Sequence, residues 1–289
     1  MSCKVLYGKP VSEHIKSELK LKIDELSDSG IIPKLSVILI GDNPASKIYV
    51  NSKHKTFINM NCKSEIHNLD KNVSEDEVVK LIDTLNNNPD VHGILIQLPA
   101  PPHLNEENII RAINPLKDVD GLHPMNLGKL FQGKPSFIPC TPYGCLKILE
   151  YYEIETVSKN IVIIGRSNLV GKPLFGLLSQ KFQIGNATVT LCHSRTKNIE
   201  FFTKEADIII AAVGVPKLVK SNMIKDNCIL IDVGINRIDD DSKKGYHIVG
   251  DIDFDSVQKK ASAVTPVPGG VGVMTVTMLL YNTVNSIKV

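Results

Sequence analysis

The stretch Asn160-Ile-Val-Ile-Ile-Gly-Arg-Ser-Asn-Leu-Val-Gly-Lys-Pro173 indicates the fold of this chain. Its four apolar residues before Gly165 are typical of a buried parallel strand that ends in a tight turn. Leucines at helical spacing then predict a helix from Val170 to Gln180. The free N–H groups and the dipole of such a helix favour a phosphate at its start. The glycines depart from the G-x-G-x-x-G pattern, because Ser167 replaces the second glycine and Gly171 falls one residue late.

The residues after this turn indicate which nucleotide the site prefers. In an NAD-binding Rossmann unit, an Asp or Glu after the second strand usually bonds the ribose 2′-hydroxyl. Here the second strand is expected from Ala187 to Cys192, and no carboxylate occurs from Thr156 to Ile199. Arg166 and Arg195 supply the cationic donors that a 2′-phosphate needs. The sequence therefore favours NADP over NAD. The alternative is that both arginines are solvated surface charges in an α/β domain without a ligand.

Composition places the chain among ordinary globular proteins. Its 289 residues suffice for one large or two moderate domains, and its net charge of +2 indicates no nucleic-acid partner. The N-terminus lacks the apolar segment of a signal peptide, and no apolar run is long enough to span a membrane. Six scattered cysteines indicate reduced thiols in a cytoplasmic protein. The eight histidines show no metal-ligand spacing, so no metal is expected.

Strand and helix patterns alternate along the chain, which predicts an α/β fold with two lobes and parallel sheets. We expect residues 1–139 to form an N-terminal catalytic lobe and residues 140–271 to form a Rossmann-type NADP-binding lobe. A last helix, at 272–289, is expected to pack back on the first lobe, and a ligand cleft to lie between the lobes. Residues 114–139 are rich in Gly and Pro, and so long an irregular segment is usually functional.

Polar residues near the predicted strand ends are candidates for chemistry. Tyr49 and Lys53 lie four apart on one expected helix, so their side chains share a face. Desolvation would lower the pKa of the lysine, although most such pairs on a helix surface have no function. Gln97 lies near the end of a strand predicted at 92–98, where ligands of open α/β sheets bind. Asp118 and Asp120 fall in the irregular segment, where local turn hydrogen bonding is the alternative role.

Six segments together resemble one known family, the bifunctional methylenetetrahydrofolate dehydrogenase/methenyltetrahydrofolate cyclohydrolases. They are Ala45-Ser-Lys-Ile-Tyr-Val-Asn-Ser-Lys53, Gly93-Ile-Leu-Ile-Gln-Leu-Pro99, Pro115-Leu-Lys-Asp-Val-Asp-Gly-Leu-His-Pro124, Pro139-Cys-Thr-Pro-Tyr-Gly144, Gly165-Arg-Ser167 and Pro266-Val-Pro-Gly-Gly-Val-Gly272. They occur in the family's order over nearly the whole chain, and several are specific to it. The resemblance implies an enzyme of one-carbon metabolism with NADP as its cofactor and a folate as its substrate.

The resemblance implies two reactions in one cleft. NADP⁺ takes a hydride from 5,10-methylenetetrahydrofolate, and water then opens the resulting methenyl cation to 10-formyltetrahydrofolate. The second step moves protons from the attacking water to a ring nitrogen, which requires an acid–base group. Lys53 would be the proton shuttle or general base, with Tyr49 orienting it and Gln97 holding it. Asp120 would bind the amino-pyrimidinone edge of the pterin.

Further site residues are implied on each side of the cleft. Pro268 and Gly272 would line the folate side. On the cofactor side the resemblance points to Gly165, Arg166, Ser167, Ser194 and Ile235, and Arg195 is added on its charge alone. The family usually forms homodimers through its cofactor domain, so a homodimer is expected.

Three positions depart from the family pattern: Val273 replaces a proline, Ala100 a leucine, and Leu122 a phenylalanine or similar residue. None removes a chemical group, so we expect adjusted packing or affinity. The alternatives are a dehydrogenase that lacks the hydrolytic step, a non-catalytic nucleotide-binding α/β protein, and an oxidoreductase related to amino-acid dehydrogenases. The last of these leaves the Pro266–Gly272 loop unexplained.

Overall fold

A computed structural model describes residues 3–241 and 245–287, which form two compact units. The six-stranded unit comprises the residues up to Glu13 together with Thr141–Thr275. The three-stranded unit comprises His14–Cys140 and the residues from Val276 onward. Each unit contains a parallel sheet with helices between successive strands, so the expected α/β class is confirmed.

The main sheet of the six-stranded unit is parallel throughout. In spatial order its strands are β1 (Lys4–Val5), β11 (Ala263–Val264), β8 (Ile229–Asp232), β7 (Ile208–Ala211), β5 (Asn160–Ile164) and β6 (Thr188–Cys192). Val162 and Ile164 of β5 pack in one buried cluster with Ile209 and Leu230 of neighbouring strands. β6 lies on one side of β5, and the next strand in the sequence, β7, lies on the other side of β5. Ligands of open α/β sheets bind at the carboxyl ends of the strands where the order reverses in this way.

The three-stranded unit has the order β3 (Lys63–Leu69), β2 (Lys34–Ile40) and β4 (Gly93–Ile96), also parallel. The helices of the chain are α1 (Gly8–Asp28), α2 (Pro44–Asn59), α3 (Glu75–Asn87), α4 (Glu106–Ala112), α5 (Pro124–Phe131), α6 (Cys140–Tyr151), α7 (Gly171–Leu178), α8 (Ile199–Thr203), α9 (Phe254–Val257) and α10 (Val271–Asn285), with a 3₁₀ turn at Ser221–Met223. A capping box begins α3, because Ser74 and Glu77 each bond the other's backbone N–H.

The N-terminus differs from the expectation that residues 1–139 lie in one lobe. β1 pairs with β11 at the edge of the six-stranded sheet, through the register Lys4↔Ala263 and Val5↔Val264. A two-residue strand shows no alternation in the sequence, and its partner lies near the other end of the chain. The pairing therefore had no local signal.

The segment 114–139 is also more regular than its composition suggested, because it contains α5. His123 caps this helix by accepting a hydrogen bond from the Met125 N–H, and Pro124 occupies the first turn, where its missing N–H costs nothing. The helix has eight residues, too few for a strong helical period. A second unexpected feature is the antiparallel pair of β9 (Asn236–Asp239) and β10 (Tyr246–Val249), because the alternation of strands and helices predicted parallel sheets.

The C-terminal segment is held by a buried amide. Helix α10 ends at Asn285, before the end of the expected range 272–289, and residues 288 and 289 lie outside the described part of the chain. Asn282 is 4% exposed, and its Nδ2 donates to the carbonyls of Val119 (2.8 Å) and Ile138 (3.0 Å). These contacts join the last helix to the segment that precedes α6. Among the described residues, no helix combines the length and the apolar character needed to cross a bilayer.

Substituting Asn282→Ala should lower the free energy of unfolding by about 1–3 kcal/mol, because two buried carbonyls lose their donor. The matched control is Asn285→Ala on the same helix, whose side chain is exposed and whose loss should change stability by less than about 0.5 kcal/mol. Urea unfolding of the two variants would measure the difference. Equal effects at the two positions would contradict a specific role for the buried amide.

Candidate functional site

The amine of Lys53 is buried at the carboxyl end of the three-stranded sheet. Lys53 lies on α2 and is 8% exposed, and its Nζ donates to Oε1 of Gln97 at 3.0 Å. Gln97 directly follows β4, and its own Nε2 donates to the Leu98 carbonyl at 2.8 Å. The amide is therefore oriented with its oxygen toward the lysine. Tyr49 lies one turn before Lys53 on α2 and is 42% exposed, so the helix presents both side chains on one face.

Asp120 and Cys140 complete the surroundings of this amine. Burial lowers the pKa of Lys53 from its ordinary value, and the nearby charge of Asp120 opposes that shift. Burial, followed by the charge of Asp120, raises the pKa of the Cys140 thiol well above its ordinary value. The thiol therefore stays protonated, and its Sγ lies 3.5 Å from the Val119 carbonyl. Cys140 was not selected from the sequence, although it lies within the quoted segment Pro139–Gly144.

Asp118 forms local turn hydrogen bonds, which was the alternative to a direct role in the chemistry. It is 1% exposed, and its carboxylate accepts hydrogen bonds from the N–H groups of Leu122 and His123 and from the Asn126 amide. The backbone of Asp118 also forms a parallel β-bridge with Ile94 of β4, the strand that Gln97 follows. The turn between Asp118 and Leu122 is thereby fixed, and Asp120 is the carboxylate within it.

Glycine is required at the turn that follows Asp120. Gly121 has φ +72°, and a Cβ there would lie 2.8 Å from the Pro139 nitrogen and 2.9 Å from the Ile138 carbonyl carbon. The two segments that carry Asp120 and Cys140 can approach each other closely for this reason.

Two of the departures from the family pattern, Ala100 and Leu122, keep their backbone N–H groups bonded. The Ala100 N–H donates to the Glu106 side chain, and the Leu122 N–H donates to the Asp118 side chain.

In the six-stranded unit, the turn from β5 to α7 is tightly packed. Gly165 has φ +124°, and a Cβ there would lie 2.2 Å from the Ala212 carbonyl oxygen. A Cβ on Gly171 would lie 1.9 Å from the Gly165 carbonyl oxygen and 3.0 Å from the Arg166 nitrogen. The third glycine of the usual pattern is thus replaced by Gly171, which allows the helix start to contact the turn. Ser167 Oγ accepts from the Val170 N–H and stabilises the same turn.

A cavity of about 530 Å³ opens at this turn, a volume within the range of cofactor sites. Its lining comes from the carboxyl ends of β5, β6 and β7, and comprises Ile164, Gly165, Arg166, Ser167, His193, Ser194, Thr196, Ile199, Ala212, Val213, Val215 and Leu218. Four of the expected cofactor residues are therefore brought together: Gly165, Arg166, Ser167 and Ser194. The lining combines backbone and hydroxyl donors with one guanidinium, which suits a phosphorylated nucleotide.

Two expected cofactor residues lie outside this lining. Arg195 is exposed beside Ser194, and its N–H donates to His193 Nδ1. Ile235 is 48% exposed between β8 and β9, and its Cδ1 lies 3.5 Å from the position of a Cβ on Gly272. Ile235 is thus placed beside the Pro266–Gly272 loop, which also contains Pro268 after a cis peptide bond.

The Pro266–Gly272 loop is anchored to the start of α1. The Gly8 N–H donates to the Gly269 carbonyl at 2.8 Å, and a Cβ on Gly8 would lie 2.2 Å from the Gly270 carbonyl oxygen. Val273, the departure after this loop, is 37% exposed. Within residues 3–241 and 245–287, no cluster of His, Cys, Asp and Glu side chains has the arrangement of a metal site.

These features define a two-domain α/β enzyme class: a parallel sheet with a nucleotide-sized cavity at its carboxyl edge, and a second α/β unit that carries a desolvated lysine. The sequence model of the tetrahydrofolate dehydrogenase/cyclohydrolase catalytic domain matches residues 6–120, and that of the family's NAD(P)-binding domain matches residues 139–289. The chain belongs to the tetrahydrofolate dehydrogenase/cyclohydrolase family.

Known relatives match the chain over nearly its whole length. The bifunctional protein FolD of Oceanobacillus iheyensis is 50% identical over 284 residues, which cover 98% of this chain and 96% of the relative. A crystal structure of the bifunctional dehydrogenase/cyclohydrolase FolD of Campylobacter jejuni superposes with a TM-score of 0.93 at 48% identity, covering 99% and 98% of the two chains. The Trypanosoma brucei methylenetetrahydrofolate dehydrogenase-cyclohydrolase, solved with NADP and an inhibitor, gives a TM-score of 0.93 at 34% identity, covering 99% and 97%.

Substituting Gly171→Ala should weaken binding of a nicotinamide nucleotide, because the added methyl group overlaps the Gly165 carbonyl and forces the turn open. Overpacking of this kind typically costs about 1–3 kcal/mol. Titration of NADPH fluorescence would measure the affinity. The control is Gly128→Ala on α5, where a Cβ meets no atom within 4 Å and alanine favours the helix. Unchanged affinity in Gly171→Ala would contradict the close packing of the turn.

Proposed function

We propose that this chain oxidises 5,10-methylenetetrahydrofolate to 5,10-methenyltetrahydrofolate with NADP⁺ and then hydrolyses the product to 10-formyltetrahydrofolate. The main support for the hydrolytic step is the buried Lys53 amine, which donates a hydrogen bond to Gln97 and lies near Asp120. Membership of the family supports both steps. A dehydrogenase without hydrolytic activity would have no need for an amine desolvated in this way.

Lys53 is the group that moves protons in the hydrolytic step. Its lowered pKa increases the fraction of neutral amine near neutral pH, and a neutral amine accepts a proton from the water that attacks the methenyl carbon. The bond between that carbon and the N5 nitrogen then breaks as the protonated amine gives its proton to N5, and the hydroxyl proton of the adduct passes to solvent water as the formyl carbonyl forms. Gln97 fixes the position of Nζ throughout, and the Tyr49 hydroxyl lies on the same helix face to orient the amine.

Asp120 and the loop that contains Pro268 bind the folate. The Asp120 carboxylate offers two acceptor oxygens, which match the adjacent N–H donors of the amino-pyrimidinone edge. Asp118 and Gly121 fix the turn that carries Asp120, so this recognition requires little reorganisation. Pro268 and Gly272 lie in a loop held to Gly8, and they supply apolar contacts to the substrate.

The cavity at the β5 turn fits NADP in volume and in the chemistry of its lining. When bound, the nicotinamide accepts the hydride of the first step. The turn at Gly165 gives the diphosphate access to backbone N–H groups, and Ser167 and Ser194 add hydroxyl donors. Arg166 and Arg195 favour the 2′-phosphate, and Ile235 provides an apolar contact at the end of β8. The NADP-binding domain is therefore the six-stranded unit, Thr141–Thr275 with the residues up to Glu13, and the catalytic, folate-binding domain is His14–Cys140 with the last helix.

The assembly and location proposed for the chain follow the family. It forms a homodimer through the NADP-binding domain, which light scattering of the purified protein would measure. It acts in the cytoplasm, without a nucleic-acid or membrane partner. All six cysteines are unpaired thiols, which supports a reducing compartment, and the net charge of +2 supports the absence of a polyanionic partner.

Substituting Lys53→Ala or Lys53→Arg should lower the hydrolysis rate by at least about 100-fold, because neither side chain accepts a proton near neutral pH. In the unsubstituted protein the rate should rise with pH as the amine loses its proton and should level off below the pH at which an ordinary lysine titrates. Decay of methenyl absorbance, corrected for the rate in buffer, would measure both effects.

The control for this prediction is Lys55→Ala, an exposed lysine two residues along the same helix, which should leave hydrolysis unchanged. NADPH titration of Lys53→Ala should give an affinity close to that of the unsubstituted protein. An equal loss of NADP affinity and of hydrolysis in Lys53→Ala would refute the division of roles between the two domains.

Substituting both Arg166→Ala and Arg195→Ala should weaken NADP binding more than NAD binding, because only NADP carries the 2′-phosphate. The expected loss for NADP is about tenfold or more, which corresponds to ~1.4 kcal/mol. Calorimetric titration with each nucleotide would measure the ratio of affinities. Arg111→Ala together with Arg237→Ala removes two other exposed arginines and controls for the same change in net charge. Equal weakening of the two nucleotides would show that these arginines do not determine selectivity.

A further inference from the structure

Two carboxylates are buried in the six-stranded unit and have no part in the mechanism described above. Asp251 is 0% exposed and Asp232 is 3% exposed. Within the described part of the chain, no lysine or arginine forms an ion pair with either carboxylate, and their hydrogen bonds come from backbone N–H groups and one amide. Carboxylates are rarely buried unless their oxygens are fully bonded, so the groups that they hold are informative.

The Asp251 side chain holds the turn that follows β7. Its Oδ2 accepts hydrogen bonds from the N–H groups of Val213 (2.6 Å) and Gly214 (3.0 Å). Two backbone bonds extend this attachment, because the Lys217 N–H donates to the Gly250 carbonyl and the Val219 N–H donates to the Asp251 carbonyl. The segment from Val213 to Val219 is therefore fastened along its length to residues 250 and 251.

That same segment forms one wall of the nucleotide cavity. Val213, Val215 and Leu218 line it, together with the preceding residue Ala212. The Ala212 carbonyl also lies against Gly165, where a Cβ would be 2.2 Å from its oxygen. A shift of the turn after β7 would thus alter both the wall of the cavity and the glycine turn opposite.

The other oxygen of Asp251 holds the connection after β8. Its Oδ1 accepts from Asn236 Nδ2 at 2.9 Å, and a Cβ on Gly234 would lie 2.2 Å from the same oxygen. Ile235, the cofactor residue expected from the family, lies between these two contacts. One carboxylate therefore fixes two neighbouring connections at the carboxyl edge of the sheet.

Asp232 in turn holds Asp251. Its Oδ1 accepts from the N–H groups of Asp251 (2.9 Å) and Gly234 (3.0 Å), and its Oδ2 accepts from the Ile252 N–H (2.8 Å). A Cβ on Gly250 would overlap Asp232 Oδ2, so only glycine fits at position 250 beside this carboxylate. The backbone of Asp251 is thereby fixed at the end of β8, and its side chain is aimed at the β7 turn.

We propose that Asp251 is a positioning residue for NADP: its carboxylate sets the cavity wall at Val213 and Val215 and the location of Ile235. The inference rests on the proposed function, since it assumes that the cavity at the β5 turn holds the cofactor. Asp251 acts through the backbone of these residues and does not line the cavity itself. Its loss should affect cofactor binding while hydrolysis, which depends on Lys53, continues.

The test compares Asp251→Ala with Asp251→Asn. The alanine variant leaves the Val213, Gly214 and Asn236 donors without an acceptor, so the dissociation constant and the KM for NADP should rise at least about tenfold. The asparagine variant keeps one oxygen for the two backbone N–H groups, and its NH2 group donates to Asn236 Oδ1 once the Asn236 amide flips, so it should recover to within about threefold of the original affinity. The kcat at saturating NADP, the KM for the folate and the rate of methenyl hydrolysis should change less than about twofold in both variants.

Asp255→Ala is the matched control, because it removes an exposed carboxylate from α9 in the same unit and should leave NADP affinity unchanged. A parallel loss of NADP affinity, hydrolysis and thermal stability in Asp251→Ala would overturn the proposal, since it would show a purely structural role. An unchanged dissociation constant would overturn it as well.

Asn236→Ala keeps the proposal testable if Asp251→Ala does not fold. This variant removes one donor of the cluster and leaves the bonds to Val213 and Gly214, so NADP affinity should fall about threefold with hydrolysis unchanged. No change in affinity would count against the inference. If the unsubstituted protein itself neither binds NADP nor forms NADPH, the proposed function fails; if it does both, a negative result concerns Asp251 alone.

Discussion

Parallel pairing of β5 with β6 and β7 is the constraint on which the nucleotide site depends. Because the three strands run in one direction, the residues that follow each of them meet at the same edge of the sheet. Gly165, Ser194 and Val213 are far apart in the sequence and line one cavity for this reason. No one of these residues forms a nucleotide site alone; the site arises because the backbone brings them together. Side chains such as Asp251 are needed because connections at a sheet edge have no ladder hydrogen bonds of their own.

In the three-stranded unit, the proposed chemistry depends on the desolvation of Lys53. A lysine in water is protonated and cannot accept a proton near neutral pH, so a proton-transfer function requires burial without a fully compensating anion. Gln97 satisfies this requirement because a neutral amide orients the amine without stabilising its charge as strongly as a carboxylate would. Asp120 lies near enough to oppose the shift in the Lys53 pKa. The balance between burial and this single carboxylate therefore sets the fraction of neutral amine.

The sequence predicted features that have local signals. The apolar run into Gly165 and the position of Gln97 at the end of a buried strand both depend on neighbouring residues, and the structure places them as expected. The pairing of β1 with β11 and the α5 helix were missed, because two residues show no period and eight show a weak one. The Asp251 cluster had no local signal either, since its partners Val213 and Asn236 lie 38 and 15 positions away. Family resemblance supplied the proposed roles of Asp120 and Ile235, which spacing could not.

The edge strand β1 has a consequence for how the chain folds during synthesis. Its partner β11 lies 259 positions further along the chain, so β1 cannot pair until the whole of the intervening chain has been made. Contacts between distant parts of a chain form slowly, because a long loop must close first. Until then, the exposed edge of β8 is open to strands from other chains. This sheet therefore cannot be completed until β11 has been made, and the unfinished unit is most prone to aggregate before that point.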